Sequence, residues 1–452
     1  MSELEKQAAS SLQTASVPSS GIGGWANHKD WEQRVRQIVR CRICANPSFE
    51  PVVNLGAQAL ASLFDDGQAH NQLATPIPLD LVRCGVKDRP DACGFVQLRH
   101  TVPPEIMFRD YGYRSGINTT MRAHLQELAR EIESKIHLGE GDIVLDIGAN
   151  DGTLLSAYRS PGIRRAGFEP SDVRPAGQGH GIRYLPTFFQ AAEFEKAFPG
   201  KKARVITSIA MFYDIDDPAQ FCRDAARILA PDGLWIIEMG YWGAILDNAG
   251  FDSICHEHLG YYTLTTLQYL ARDTGFELHD VFFNASNGGS VRVYLTPQGS
   301  PRPVPPENRA RIESALWRER ERGYLSSARH AEFRARAEKI RGDLRRILNE
   351  AMEKGKAVYG YGASTKGNVL LQYCGIGTRE IRTIADRNPA KRGRLTPGSR
   401  IPICSEEEMR EARPDLLLIL PWHFTSEFLQ REEALRAGGT RFIVPFPEVK
   451  IL

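Results

Sequence analysis

Ile143-Val-Leu-Asp-Ile-Gly-Ala-Asn-Asp-Gly152 is the stretch whose reading decides the fold. An apolar run delivers an acid, Asp146. A glycine-bearing turn then opens onto a helix, so the backbone there can pass close to a ligand. Gly148 and Gly152 are the positions where only a small side chain fits, and Asn150 lies between them. Strand, turn and helix in that order form the first unit of an alternating α/β sheet. A dinucleotide is disfavoured, because the Gly-x-Gly-x-x-Gly spacing is absent and Asp146 would repel a pyrophosphate. A cationic donor fits better, which makes S-adenosylmethionine the expected cofactor. Roughly twenty residues on, Glu169 in Gly167-Phe-Glu-Pro170 stands where a carboxylate accepts hydrogen bonds from two ribose hydroxyls. A third strand ends at Thr207-Ser-Ile-Ala-Met-Phe212, placing Ser208 and Met211 at the expected adenine edge. The competing reading makes Asp146 a helix cap and Glu169 a surface loop acid.

Outward from this turn, buried strands are expected at 143–147, 165–168, 203–206, 234–238 and 290–295, separated by helix-length segments and preceded by a helical pattern over 121–141. That alternation predicts a doubly wound parallel sheet. Residues 305–356 carry many Arg and Glu with apolar residues at helical intervals, predicting two long amphipathic helices whose charges form a solvated face. The alternation restarts with strands at 357–361, 381–385, 416–420 and 441–444, a second and smaller α/β domain. Its first turn, with Gly362, Ser364, Lys366 and Gly367, is small and cationic, which suits phosphates. Asp386 follows the next strand and favours a ligand there; the plainer reading is a glycine turn that lets a helix pack closely.

With 57 Lys and Arg against 55 Asp and Glu, the chain lacks the basic excess that nucleic acid demands, so no nucleic-acid partner is expected. No apolar run reaches the roughly 20 residues of a membrane span, and the polar start, Met1 to Pro18, has no signal-peptide core. No membrane partner and a cytoplasmic location are the expectations. Residues 1–30 lack periodicity and are expected to be a disordered tail. From Trp31 onward, short apolar runs are broken by Cys41-Arg-Ile-Cys44, Cys84 and Cys93. Four thiolates around one zinc make a closed tetrahedral site that holds structure and does no chemistry. Buried free cysteines are the alternative, but they leave the Cys-x-x-Cys spacing unexplained.

Cys255-His-Glu-His258, followed by Tyr261-Tyr262, packs more titratable groups together than a core strand or helix tolerates. Histidines two apart suit metal ligation on a strand, yet no third ligand is evident; a solvated loop is the plainer alternative. This segment, the cysteine module, the glycine turn and Gly360-Tyr-Gly-Ala-Ser-Thr-Lys-Gly-Asn368 together resemble the sugar C-methyltransferases of deoxysugar biosynthesis. Further matching stretches are Asn287-Gly-Gly-Ser-Val-Arg292, Asp386-Arg-Asn-Pro-Ala-Lys391, Thr396-Pro-Gly398 and Ile401-Pro-Ile403.

The resemblance implies an α/β chain of several parts. A zinc-binding module spans 31–105, a Rossmann-like methyltransferase domain 106–304, a helical connector 305–350 and a Rossmann-like substrate domain 351–452. It implies a nucleotide-linked 4-keto sugar held between the last two domains and methylated on the carbon next to the ketone. His258 is then the base, with Glu257 orienting substrate or imidazole. The antibiotic-sugar members carry a tyrosine where this chain has Cys255, and a histidine near Tyr213-Asp214. Cys255 could still donate a proton, and Tyr213, Tyr261 or Tyr113 could substitute for the tyrosine. His256 and Asn287 complete the candidate substrate contacts. Competing functions are an O- or N-methyltransferase on another metabolite, an NAD-dependent enzyme using the C-terminal turn, and a zinc-module nucleic-acid binder.

Overall fold

The computed structural model describes residues 35–65, 75–87, 89, 91–108, 113–173 and 181–452. The expected 1–30 tail lies outside the described residues.

In the N-terminal module, strands β1 (Phe49–Gln58), β2 (Ile77–Cys84) and β3 (Val96–Leu98) form an antiparallel sheet. Its fourth strand, Gly260–Tyr261, comes from far along the chain and pairs with Val96 and Gln97. Helix α1 (Thr119–Lys135) starts where the Asn118 side chain accepts hydrogen bonds from the backbone N–H groups of Thr120 and Met121. It buries Leu125, Leu128, Ala129 and Ile132, a stripe at helical spacing, against the central sheet.

That sheet contains β4 (Ile143–Ile147), β5 (Arg164–Phe168), β6 (Ile182–Leu185), β7 (Ala203–Ile209), β8 (Leu229–Gly240), β9 (Phe276–Asn284) and β10 (Ser290–Pro297) in the order β9-β10-β8-β7-β4-β5-β6. Strands β4 to β8 run parallel, as the alternation predicts. The expectation of an all-parallel sheet is corrected at one edge, where β10 runs antiparallel to β8 and β9 antiparallel to β10. The physical reason is the short connection from Ala285 to Gly289, which turns back through Asn287 at φ 54°, Gly288 at φ 91° and Gly289 at φ 124°. So few residues make a hairpin, not a crossover. Gly289 is constrained twice, since an added Cβ would also lie 2.4 Å from the Ala244 Cβ.

Two long helices follow, α2 (Pro306–Arg322), ended by Gly323 in the left-handed region, and α3 (Ser327–Glu353), capped by Ser326. Their charges are not all solvated, as the periodicity predicts. Glu319 is buried and accepts hydrogen bonds from the Leu264 and Thr265 backbone and from the Tyr241 hydroxyl. The chain closes with β11 (Val358–Tyr361), helix α4 (Thr365–Cys374), β12 (Ile384–Ala385), β13 (Ile403–Cys404), β14 (Leu416–Ile419), β15 (Arg441–Val444) and β16 (Lys450–Ile451). The strand order is β13-β12-β11-β14-β15-β16, parallel except for β16.

All three parts share one core. Helix α3 buries Phe333, Ala337, Ile340, Leu344 and Leu348 within it, and α4 grips the N-terminal module through Asn368 Nδ2 donating to the Ala61 carbonyl and Gln372 Nε2 donating to that of Ala59. Truncating fully buried Leu344 to alanine leaves a cavity at this shared core and should lower stability by about 2–5 kcal/mol. Denaturant unfolding checks this, and a loss under about 0.5 kcal/mol, as at a surface position, would contradict it.

Candidate active site and zinc centre

The carboxyl ends of β4, β5 and β7 open into a cavity of about 1360 Å³ that reaches across to the C-terminal domain. That exceeds the 300–1,000 Å³ of an ordinary single-ligand pocket and leaves room for two ligands. At one end, Gly148 adopts φ 78°, and a Cβ there would approach Met211 Cγ to 3.0 Å. Glu169 is 6% exposed, and each of its oxygens accepts one backbone N–H, Asn150 at 2.8 Å and Ser171 at 2.8 Å. Two turns therefore fix the carboxylate, whose remaining lone pairs stay available on the cavity wall. Asp146 accepts the Thr207 hydroxyl at 2.6 Å. Burial raises its carboxyl to about 7, the Thr207 bond opposes the shift and the Glu169 charge adds to it. It is not a helix cap, because the helix that follows starts at Thr153 without a side-chain cap. Asn150, at φ 51°, donates through Nδ2 to the Tyr113 carbonyl and accepts the Ser115 N–H, drawing residues 113–115 over the turn.

Two candidates for the donor site face elsewhere. Gly152 lies off the cavity, and a Cβ there would meet the Tyr184 hydroxyl at 2.4 Å, so its small size serves packing under β6. The Ser208 hydroxyl accepts the Trp235 indole N–H at 3.1 Å on the opposite face of β7, as strand alternation requires. Thr207, its neighbour, is the residue that reaches Asp146.

The same cavity is lined by Tyr213, Asp214, Ser253, Cys255, Glu257, His258 and Tyr261. His258 Nδ1–H donates to the Ser253 carbonyl at 3.0 Å, which leaves Nε2 as the lone-pair nitrogen. Burial pulls the imidazole down to about 4, the Glu257 charge only partly opposing it, so the ring is neutral at physiological pH. The Tyr213 ring lies beside it, centroids 4.1 Å apart. Ser253, not Glu257, orients the imidazole. The Tyr261 hydroxyl also donates to the Ser253 carbonyl. Burial, then the neighbouring Glu257, hold the Cys255 thiol protonated. His256 points away from the cavity, its Nε2 bonding the Ile77 carbonyl of β2.

The far end is built at the domain boundary. Lys366 donates to the Asn287 carbonyl at 2.7 Å, and Trp422 Nε1 donates to fully buried Asp252 at 2.9 Å. Burial lowers the Lys366 ammonium and raises Asp252, each partly opposed by the other's charge. Lys366, Asn287 and Trp422 line the cavity; Gly362, Ser364 and Asp386 do not. A Cβ at Gly362 would sit 2.6 Å from Pro421 Cγ, Ser364 caps α4, and Asp386 pairs with Lys391. Close packing at Gly362, helix capping at Ser364 and an ion pair at Asp386 occupy the three residues, in place of the ligand contact expected from the turn.

In the N-terminal module the sulfur atoms of Cys41, Cys44, Cys84 and Cys93 lie within 4.8 Å of one another, with Cys41–Cys93 and Cys44–Cys84 each at 3.5 Å. Thiolates about 2.3 Å from a tetrahedral zinc stand about 3.8 Å apart, so the cluster fits the ion. Gln97 Nε2 donates to the Cys41 sulfur and Asn46 Nδ2 to the Cys84 sulfur, the N–H contacts a metal-bound thiolate accepts. Neither residue has a sequence signal, since both act through the fold. Gly94, directly after Cys93, turns the chain at φ 67°.

Known proteins match this organisation. Three family models fit consecutive stretches: a domain described as zinc binding over 41–108, a methyltransferase domain over 113–281 and a C-methyltransferase C-terminal domain over 285–447. Fold and site thus define an S-adenosylmethionine-dependent methyltransferase with a zinc-binding module. The chain belongs to the C-methyltransferase family: it is 33% identical over 422 residues to the C-methyltransferase NovU of Streptomyces niveus, covering 92% of this chain and 98% of that relative. Among solved structures, magnesium protoporphyrin IX methyltransferase from Synechocystis aligns with 39% of this chain and 87% of its own at 12% identity and a TM-score of 0.30. The N-methyltransferase NodS from Bradyrhizobium japonicum aligns with 40% and 97% at 14% identity and a TM-score of 0.29. Neither likeness carries any argument here. Among the described residues, no helix is long and apolar enough to cross a membrane.

Replacing Glu169 by alanine should weaken adenosylhomocysteine binding by about 1.5–3 kcal/mol, roughly 10- to 100-fold, the worth of charge-assisted hydrogen bonds. Calorimetric titration checks it, and unchanged affinity would remove Glu169 from the donor site. Replacing Cys44 by serine should release the zinc and lower the melting temperature; elemental analysis finding full zinc in the variant would contradict the four-thiolate site.

Proposed function

We propose that the chain methylates a nucleotide-linked 4-keto deoxysugar on the carbon beside its ketone. The observation that carries this reading is the neutral His258, its Nδ1 tied to the Ser253 carbonyl and its Nε2 lone pair free, in the same cavity that Glu169 and Lys366 line. A proton next to a ketone is weakly acidic, so its removal needs an uncharged base held in place and donors for the enolate oxygen that develops. Nε2 takes that proton, and the C–H electron pair becomes the enolate. Glu169, Gly148 and Asn150 would hold the donor's adenosine portion. When bound, S-adenosylmethionine supplies an electrophilic methyl group. Lys366 offers a cation to the diphosphate, and Trp422 an aromatic face at the same end of the cavity. The volume of the cavity supports simultaneous occupation by donor and sugar nucleotide. A residence in deoxysugar biosynthesis is the corresponding metabolic role.

Incubation with a nucleoside diphosphate 4-ketohexose in deuterated water should place deuterium beside the ketone, followed by a carbon-bound methyl signal once donor is added. The variant His258→Asn should lose about 10²–10⁴-fold in both. A methyl found on oxygen or nitrogen, or exchange indifferent to His258, would overturn the reading.

The pH dependence has a definite sign. Because the folded imidazole sits at about 4 against an ordinary 6.5, the unfolded chain binds the extra proton between those values. His258 therefore takes stability away as pH falls from 6.5 to 4, while remaining an active base. The acid limb that His258 imposes on exchange should lie near pH 4, and a His258-dependent limb near 6.5 would contradict its burial.

A further inference from the structure

We infer that Asp151 is a positioning residue for the methyl donor: it latches residues 113–117 as a strap across the two turns that hold Glu169, and the strap walls in the bound cofactor. The inference rests on placing the donor beside Glu169 and adds the side chain that keeps that place closed.

Four contacts define the strap. Asn150 Nδ2 donates to the Tyr113 carbonyl at 3.0 Å, and Asn150 Oδ1 accepts the Ser115 N–H at 3.0 Å. Asp151 Oδ2 accepts the Gly116 N–H at 2.8 Å. On the other side, Arg114 Nη1 donates to the Val173 carbonyl at 2.8 Å. The strap therefore joins the turn at Asn150 and Asp151 to the turn at residues 171–173. Those are the two turns whose N–H groups, of Asn150 and Ser171, each hold one Glu169 oxygen. Tyr113 and Ser115 line the cavity together with Gly148, Asn150 and Glu169, whereas Asp151 stands outside that lining and reaches it only through the strap.

Asp151 is itself fixed by the start of the next helix, where its Oδ1 accepts the Thr153 hydroxyl at 2.6 Å and the Thr153 N–H at 3.3 Å. An aspartate that only began this helix would need that one oxygen, yet the second is committed to Gly116. Gly116 shows that the contact is built from both sides. A Cβ there would lie 2.9 Å from Asp151 Oδ2 and 3.0 Å from Thr153 Oγ1, and its backbone is not left-handed, so the close approach alone calls for glycine.

Little apolar burial holds the strap down, since Tyr113 is 43% exposed and Ile117 74%. A segment fastened mainly by hydrogen bonds lies at the low end of local stability, so losing a charged acceptor loosens it without unfolding the sheet behind it. Held in place, it slows the escape of a bound cofactor and keeps water from that side of the site.

The test is calorimetric titration of the whole chain with adenosylhomocysteine, with dissociation rates taken from displacement of the tritiated compound. Asp151→Ala removes the acceptor, and Gly116→Ala wedges a methyl group into the same contact. Each should weaken binding about 10-fold, the worth of one charge-assisted hydrogen bond, chiefly through faster dissociation. Combined, they should cost little more than either alone, because they break one contact. Asp151→Asn keeps an acceptor oxygen and should recover part of the affinity. The melting temperature without ligand should stay close to that of the unaltered protein in all of them. Affinity within about threefold of the unaltered protein in Asp151→Ala and Gly116→Ala, or losses that multiply in the double variant, overturns the latch. If these variants bind normally while Glu169→Ala binds weakly, the donor site stands and only the strap falls. If Glu169→Ala also binds normally, the placement of the donor falls with it.

Discussion

The site depends on one seam, the dozen residues from Phe251 to Tyr262 that touch every part of the molecule. Gly260 and Tyr261 add a strand to the zinc module through Gln97 and Val96. The His256 imidazole bonds the Ile77 carbonyl of that module. In the other direction, Phe251 packs edge-on against Tyr373 and Phe446 of the C-terminal domain, while Asp252 accepts the Trp422 indole N–H. The Tyr262 carbonyl accepts the Trp242 N–H within the methyltransferase domain. A segment anchored on three sides holds His258 in place, the kind of restraint that a productive geometry requires.

This seam gives the zinc module a role beyond its own stability. Gln97 pairs through its backbone with Gly260, and through its side chain donates to the Cys41 sulfur. The cysteine cluster and the segment that carries His258 are therefore one residue apart through space, though more than 150 positions separate them in the chain. The zinc module thereby sets the register of the short strand that follows His258.

The electrostatics of the cavity run in a consistent direction. Burial keeps His258 neutral, raises the Asp214 and Asp146 carboxyls and lowers the Lys366 ammonium at the boundary with the C-terminal domain. Low-dielectric surroundings of this kind strengthen whatever charge develops on a bound substrate, because little competing solvent remains. In the same surroundings Glu169 is held by two backbone donors, the N–H groups of Asn150 and Ser171.

Much of this was legible from residue pattern alone. The glycine turn after Asp146, the carboxylate following the second strand, the four cysteines, the long charged helices and the clustered His-Glu-His segment are local signals, because turn chemistry, ligand chelation and helical periodicity act over short stretches of chain. Tertiary structure decided what depends on facing and register. Strand alternation turned Ser208 into the core and left Thr207 to hold Asp146. Close packing claimed Gly152 and Gly362, where a Cβ would strike Tyr184 or Pro421. A hairpin at Asn287 to Gly289 reversed a strand that periodicity read as parallel. The Ser253 carbonyl, which selects the tautomer of His258, and Asp214, which lines the same cavity, joined the site only when distant segments converged. No spacing in a linear chain encodes such meetings, because they are set by which faces the core chooses to bury.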